Sequence, residues 1–221
     1  GGSQAKNLLI FALTDPSRGT KGLSCILVEK GTPGFSVGKI EEKMGIHGSE
    51  TAELIFEDCR VPKENLIGKE GQGFKIAMTA LDGARIGVAA QALGIAERAF
   101  QESVKYMKER VQFGKPIAAL QGLQWYISDM TVKIECARWM IFRAAWLKIS
   151  GQPYTKEAAI AKLNASETAT FVTNLALQIH GGYGYMKDYP LERMYRDAKI
   201  TEIYEGTSEI HKVVIARAAL R

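Results

Sequence analysis

The chain has 221 residues, an apolar fraction of 46% and a net charge of +5 from 29 Lys and Arg against 24 Asp and Glu. That is room for one large domain or two small ones around an ordinary core, and it excludes a disordered chain. The charges are interspersed rather than blocked, which argues against a nucleic-acid surface and tolerates phosphorylated small molecules.

Cys25, Cys59 and Cys136 are far apart, with no C-x-x-C and no Cys/His spacing suited to zinc, so the reading is a reducing compartment without structural disulfides or a metal site. No stretch is long and apolar enough to span a bilayer and no signal-peptide pattern is present, so a soluble chain that does not enter a membrane is expected. The opening Gly1-Gly2-Ser3 lacks Met and runs almost at once into the apolar run Leu8-Leu9-Ile10-Phe11-Ala12-Leu13. The expectation is therefore a piece of a longer protein.

Residues 7–13, 23–29, 35–40 and 52–61 are runs rich in Leu, Ile, Val and Phe, separated by turn material such as Asp15-Pro16-Ser17-Arg18-Gly19 and Gly31-Thr32-Pro33-Gly34. They predict a small antiparallel β unit, incomplete because four strands are few for a sheet buried on both faces. The glycine-punctuated loop after the third strand carries His47, read as a loop hydrogen-bonder. After residue 67 the period changes from two to between three and four. Ile86, Ala89, Leu93, Ala96, Phe100 and Met107 share one stripe; Leu120, Leu123, Ile127, Met130, Ile134, Ala137, Ile141 and Ala144 share another; Ala158, Ala161, Ala165, Thr168, Val172, Leu175 and Ile179 make a third. These predict three helices of about 30 residues, each roughly 45 Å long. A short helix after Pro190 and a terminal one from Thr207 to Leu220 follow. The fold expected is α+β: an incomplete β domain over 1–67, then an up-down four-helix bundle over 68–221.

Several stretches could carry chemistry. A di-iron bundle needs Glu-x-x-His pairs, but Met44, Leu177 and Ser208 stand three before the three histidines, so that chemistry fails. Gly181-Gly182-Tyr183-Gly184 resembles the start of a dinucleotide fingerprint, yet it follows a helix and has Lys187 where the third glycine belongs. It reads instead as a helix end whose backbone can approach something flat or phosphorylated, with Gln178 one turn earlier; a glycine C-cap accounts for Gly181 alone. Arg110, Gln112 and Phe113 lie in the loop between the first two long helices, where an Arg and a Phe suit a phosphate and a planar ring or serve only solubility and docking. Asp82 and Arg85, three apart on the first helix, have an intrahelical ion pair as their default account. In Ile203-Tyr204-Glu205-Gly206-Thr207-Ser208-Glu209-Ile210 a carboxylate precedes a glycine, hydroxyls that can cap, and an apolar-periodic run. Glu205 should then sit in a tight turn at a helix entrance, as a catalytic acid or base or as a plain surface glutamate.

Together these motifs resemble the acyl-CoA dehydrogenase family of FAD flavoproteins, which have an N-terminal helical domain, a middle β domain and a C-terminal four-helix domain. The resemblance runs from about residue 23 to the end, through GIHGSETAELIFEDCRVPKENLIG, GQGFKIAMTALDGARIGVAAQALGIAERAF, ERVQFGKPIAALQ, QIHGGYGY and RDAKITEIYEGTSEI. It is most similar to the short-chain, butyryl-CoA type. The resemblance implies that Glu205 removes the α-proton of an acyl-CoA thioester while a hydride leaves the β-carbon for FAD, and that the Glu205 N–H is one donor to the thioester carbonyl. It implies that Tyr204, Gly206, Asp82 and Arg85 contact substrate, and that Thr207 and Glu209 lie near the flavin. Arg110, Gln112, Phe113, Gln121, Gln178, Gly181 and Gly182 would reach the ADP half of FAD in a neighbouring subunit. Relatives with their base on the first long helix carry it where this chain has Ala84, which leaves Glu205 as the candidate.

The resemblance further implies an electron-transferring flavoprotein as acceptor, a homotetramer, and a bacterial cytoplasmic or mitochondrial matrix location. The family's flavin-ring contacts lie in a Trp-x-Thr-Asn segment upstream of this chain. The alternatives are an acyl-CoA oxidase and a flavin-free helical scaffold serving oligomerisation.

Overall fold

The computed structural model describes residues 1–220, which divide into two compact units, Gly1–Leu81 and the rest of the chain from Asp82. In the first unit, β1 (Asn7–Leu13) pairs antiparallel with β2 (Leu23–Glu29), from Asn7 opposite Glu29 to Leu13 opposite Leu23. β3 (Phe35–Ile40) pairs with β4 (Ala52–Phe56) as a separate two-stranded sheet, with an irregular register between Val37 and Ile40 and with Phe35 stacked on Phe56 at 5.1 Å. A two-residue strand, β5 (Leu66–Ile67), joins the other edge of β2.

Two expectations change here. The fourth strand ends at Phe56 rather than at residue 61, because Asp58 takes φ +48°, a turn conformation that a ladder cannot hold. The strands also form two small sheets rather than one. On β1, Leu9, Phe11 and Leu13 alternate to one face and are exposed, so that apolar face has no cover among the described residues.

The second unit is a helical bundle. α1 (Gly73–Glu109, of which this unit takes the part from Asp82), α2 (Gln121–Ile149) and α3 (Thr155–His180) are its long helices, and α4 (Leu191–Lys199) and α5 (Ser208–Ala219) complete it. At 37 residues α1 is longer than the sequence pattern suggests, and α3 is shorter at 26. The stripes fall where the period puts them: Ala89, Leu93, Ala96 and Met107 of α1, Met130, Ile134, Ala137, Ile141 and Ala144 of α2, and Ala161, Ala165, Val172 and Ile179 of α3 share one core. The loop between α1 and α2 is a hairpin, β6 (Val111–Gln112) with β7 (Lys115–Pro116), turning at Phe113 and Gly114.

The alanines set the geometry of α3. Ala158, Ala161, Ala165, Ala169 and Ala176 have no exposed surface. Each offers little apolar area, but a row of methyl groups lets neighbouring backbones approach closely, and at native density no space remains for more. Ala165→Leu should therefore destabilise the bundle by about 1–3 kcal/mol through overpacking, read as a lower urea midpoint at unchanged slope.

Candidate active site

The turn before α5 is built from consecutive local bonds. The Ile200 carbonyl accepts from the Ile203 N–H at 2.9 Å and from the Tyr204 N–H at 3.1 Å, which closes a tight turn after α4. The chain then reverses through two left-handed residues, Glu205 at φ +55° and Gly206 at φ +98°, and Thr207 takes the N-cap position of α5. Gly206 has two reasons to be glycine: its φ, and the imidazole of His211, whose Nε2 would lie 3.3 Å from an added Cβ. Glu205 has no such licence and holds a conformation that costs a side-chain-bearing residue about 1–2 kcal/mol. Thr207 stands where a cap belongs, but its hydroxyl makes no capping bond. The Glu209 carboxyl is held below its usual range instead, first by its own backbone N–H and then by the Thr207 hydroxyl.

Two buried cations hold the carbonyls of this turn. Arg85, 6% exposed, donates from Nη1 to Asp82 Oδ1 at 2.7 Å and from Nε to the Glu205 carbonyl oxygen at 3.4 Å. The other oxygen of Asp82 accepts from the Thr155 hydroxyl at 2.6 Å. The ion pair expected on α1 is thus formed, and it also ties α1 to α3 and to the turn. Lys162, with no exposed surface, donates from Nζ to the Gly206 carbonyl oxygen at 2.6 Å. Burial pulls its pKa down to about 8, aided by the charge of Arg85.

His211 is fully buried beneath Gly206, and neither ring nitrogen has a partner in good hydrogen-bonding geometry among the described residues. Burial, with the charges of Lys162 and Arg85, lowers its pKa to about 4. The Glu205 carboxyl lies among these groups with its Oε2 buried and unpartnered. The Glu205 N–H donates to no acceptor among the described residues. A free buried acceptor beside a free N–H suits a ligand that loses a proton next to a polarised carbonyl. The Tyr204 hydroxyl donates to Gln91 Oε1, and burial raises its pKa.

A second site lies at the far end of α3. Arg110, Gln112 and Phe113 of the hairpin loop and Gly181 and Gly182 after α3 line one cleft of about 570 Å³, with Tyr183. Phe113 and Gly114, at φ +53° and +75°, make the hairpin turn and leave the Phe113 ring 87% exposed. The Arg110 guanidinium stands 5.4 Å over the Tyr183 ring. Gly181 is the C-cap of α3 at φ +57°, its N–H donating to the Gln178 carbonyl. Gly184 is required by the chain itself, since a Cβ there would meet the Leu177 carbonyl oxygen at 2.7 Å. Gly182 is not: its φ is ordinary and a Cβ would meet nothing within 4 Å. It leaves open space in the cleft, a cradle for a flat or phosphorylated group. His180, fully packed between Tyr106 and Tyr189, has its pKa lowered by burial.

Of the residues singled out from sequence, the structure gathers Glu205, Gly206, Arg85 and Asp82 at the turn, and Arg110, Gln112, Phe113, Gly181 and Gly182 at the cleft. Gln121 and Gln178 are exposed and do not line the cleft. His47 bonds the Lys43 carbonyl at 2.6 Å, as a loop histidine should. Lys162, His211, Gln91 and Thr155 were not singled out. The signal for Lys162 was a lysine four residues after Ala158, on the face of the alanine stripe. Among the described residues no cluster of His, Cys, Asp and Glu could hold a metal, and no helix is long and apolar enough to cross a membrane.

Comparison with known families matches residues 71–220 to "Acyl-CoA dehydrogenase, C-terminal domain" and residues 1–59 to "Acyl-CoA dehydrogenase, middle domain". Acryloyl-CoA reductase (NADH) of Anaerotignum propionicum is 74% identical over 221 residues, covering 100% of this chain and 56% of that protein. Butyryl-CoA dehydrogenase of Megasphaera elsdenii superposes with a TM-score of 0.99 at 54% identity, over 100% of this chain and 57% of that one. A chain in the structure described as the electron transferring flavoprotein of Acidaminococcus fermentans superposes with a TM-score of 0.99 at 60% identity, over 100% of this chain and 58% of that one. The chain thus spans a little over half the length of the relatives it matches.

The neutral burial of His211 has a pH signature. Its pKa is about 4 when folded against an ordinary 6.5, so between those values the unfolded chain binds more protons and stability falls as pH falls. Between pH 7 and pH 5 the unmodified full-length protein should lose about 2 kcal/mol more than His211→Gln, measured by urea unfolding at both pH values.

Proposed function

The chain belongs to the acyl-CoA dehydrogenase family, and on that premise we propose that it carries the base and part of the cofactor surface of a flavoenzyme interconverting a short-chain acyl-CoA and its trans-2-enoyl-CoA. The observation that carries this is Glu205, a half-buried residue whose carboxyl has one buried, unpartnered oxygen, in a turn whose carbonyls are tied back by Arg85 and Lys162. In this reading the Glu205 carboxylate removes the α-proton, and its own N–H donates to the thioester oxygen as charge develops there. Tyr204 and Gly206 border the acyl group, and Asp82 and Arg85 support the thioester end from α1.

FAD is the cofactor of this family. The residues present fit part of it: the Arg110 loop offers a guanidinium and an aromatic ring, and Gly182 offers uncovered backbone. When bound, FAD takes up the hydride that leaves the β-carbon. Lys162 and Gly181 lie toward opposite ends of α3, about 28 Å apart along its axis at 1.5 Å per residue. That separation supports a cleft serving the ADP half of the cofactor in a neighbouring subunit, with Gln121 and Gln178 at its margin, while Thr207 and Glu209 face the flavin of their own.

A homo-oligomer, in this family a tetramer, has its own support. Trp125, Val132, Trp139 and Trp146 of α2 recur every seven residues and are 60–67% exposed, an apolar stripe opposite the core face of that helix. Residues 1–67 are read as the later part of the middle β domain and 68–221 as the C-terminal helical domain. The electron acceptor proposed is an electron-transferring flavoprotein, and the compartment the bacterial cytoplasm or the mitochondrial matrix.

The 74% identity to an acryloyl-CoA reductase favours a second reading, in which the working direction is reduction. The same Glu205 would then return a proton to the α-carbon, since a base in one direction is the acid in the other.

In the full-length protein under anaerobic conditions, butyryl-CoA should bleach the flavin absorbance, and Glu205→Gln should slow this at least about 10³-fold. Bleaching at the unmodified rate would overturn the assignment. Peroxide formation in air without the acceptor flavoprotein would favour the oxidase alternative. Trp139→Glu with Trp146→Glu should shift the protein to smaller species in analytical ultracentrifugation.

A further inference from the structure

We propose that Lys162 is a positioning residue for the Glu205 base, its buried ammonium holding the Gly206 carbonyl so that the left-handed turn keeps the carboxyl aimed and the Glu205 N–H free. The inference rests on the reading of Glu205 as the base.

A lysine on the alanine face of a core helix is expensive. It has no exposed surface, and none of the described ion pairs includes it. The bond recorded for its ammonium is the one to the Gly206 carbonyl oxygen at 2.6 Å. Met or Leu would fill the same volume without desolvating a charge, so packing alone does not account for Lys here.

The place where that charge is spent does account for it. Three helices converge on two residues: Arg85 of α1 on the Glu205 carbonyl, Lys162 of α3 on the Gly206 carbonyl, and His211 of α5 beneath the Gly206 backbone. Arg85 reaches its carbonyl at 3.4 Å while it also serves Asp82, whereas Lys162 gives Gly206 the shorter bond. His211 is buried against the same turn, its ring facing the Gly206 and Glu205 backbone without a bond of good geometry, so the firm anchor on Gly206 is the ammonium.

Without the ammonium, the peptide after Gly206 is free to rotate, because glycine tolerates most backbone angles. The strain at Glu205 can then relax toward ordinary φ, moving the carboxyl and its N–H together. Glu202, Glu205 and Glu209 also raise the tendency of Lys162 to stay charged, which keeps it a donor.

The test uses the full-length, flavin-loaded enzyme and Lys162→Met. Base function is read by exchange of the α-protons of butyryl-CoA for deuterium in D2O by NMR, alongside kcat, KM, bound flavin and the urea midpoint. Exchange and kcat should each fall about 10²-fold, as for a reactive group misplaced by about 1 Å, with KM within about twofold and flavin content unchanged. If Lys162→Met does not accumulate folded, Lys162→Gln carries the same expectation, since it keeps a polar group one bond too short to reach Gly206.

Exchange within about twofold of the unmodified enzyme overturns the proposal, as does a loss explained by raised KM or lost flavin. Glu205→Gln is the control that separates the two claims. If it abolishes exchange while Lys162→Met leaves it intact, Glu205 stays the base and only the role of Lys162 falls. If Glu205→Gln itself exchanges normally, the base assignment falls and the proposal with it.

Discussion

The bundle is organised around the hold that two buried cations keep on two successive carbonyls, those of Glu205 and Gly206. A carboxyl can be aimed from a helix or strand at no backbone cost, but it then shares its backbone N–H with a ladder. Here the N–H of the same residue stays free, and a left-handed turn is what achieves that. The conformational cost at Glu205 is about 1–2 kcal/mol. A charged donor on a carbonyl contributes roughly 1.5–3 kcal/mol, so the short Lys162 bond comes near to offsetting the strain and the longer Arg85 contact adds less. Desolvating Lys162 takes back part of the gain, as its lowered pKa records.

Such a turn needs anchors that do not move, and the packing supplies them. Arg85 is fixed by Asp82, which is fixed in turn by Thr155 at the start of α3, so α1 and α3 are stapled one turn away from the site. Lys162 is flanked by Ala158, Ala159, Ala161 and Ala165, all fully buried, and its ammonium reaches the Gly206 carbonyl. The alanine stripe lets the helices approach closely. At the other end of α3 the same helix stops at Gly181, and its terminal glycines open the cleft.

What was legible in the sequence follows the range of the forces involved. Strand and helix extents were largely visible because period and turn residues are local, and the three core stripes fell where their spacing put them. The fourth strand ends short of residue 61 because Cys59 and Val61 extend the apolar run in sequence only, the backbone having left the ladder before Asp58. The turn at Glu205 was visible for the same local reason: a glycine and a hydroxyl before an apolar run. Its anchors were not, since Arg85 lies 120 residues away and Lys162 lies 44 away. Periodicity marks the buried face of α3 but cannot say which buried residue reaches across, nor that a lysine among alanines is a donor rather than an interruption. The glycine turn and the hairpin loop are legible as two separate local features and the resemblance joins them, with Gln121, into one set; the structure draws the glycines and the hairpin into the cleft while leaving Gln121 and Gln178 at the surface.

This arrangement also separates two tasks that the family's reaction joins. Every group that shapes the Glu205 turn, from Arg85 through Lys162 to His211, belongs to the helical unit that begins at Asp82. On the reading proposed for Glu205, aiming the proton-transfer group is a property of that bundle. On the same reading the hydride side of the chemistry falls to the flavin, and the relatives run to nearly twice this length of chain. On that reading, a dehydrogenase and a reductase differ in which way electrons are drawn, while the proton at the α-carbon is exchanged with the same carboxyl in both. Relatives named for the two directions, at 74% and 54% identity, both match the chain over its whole length, as that reading expects.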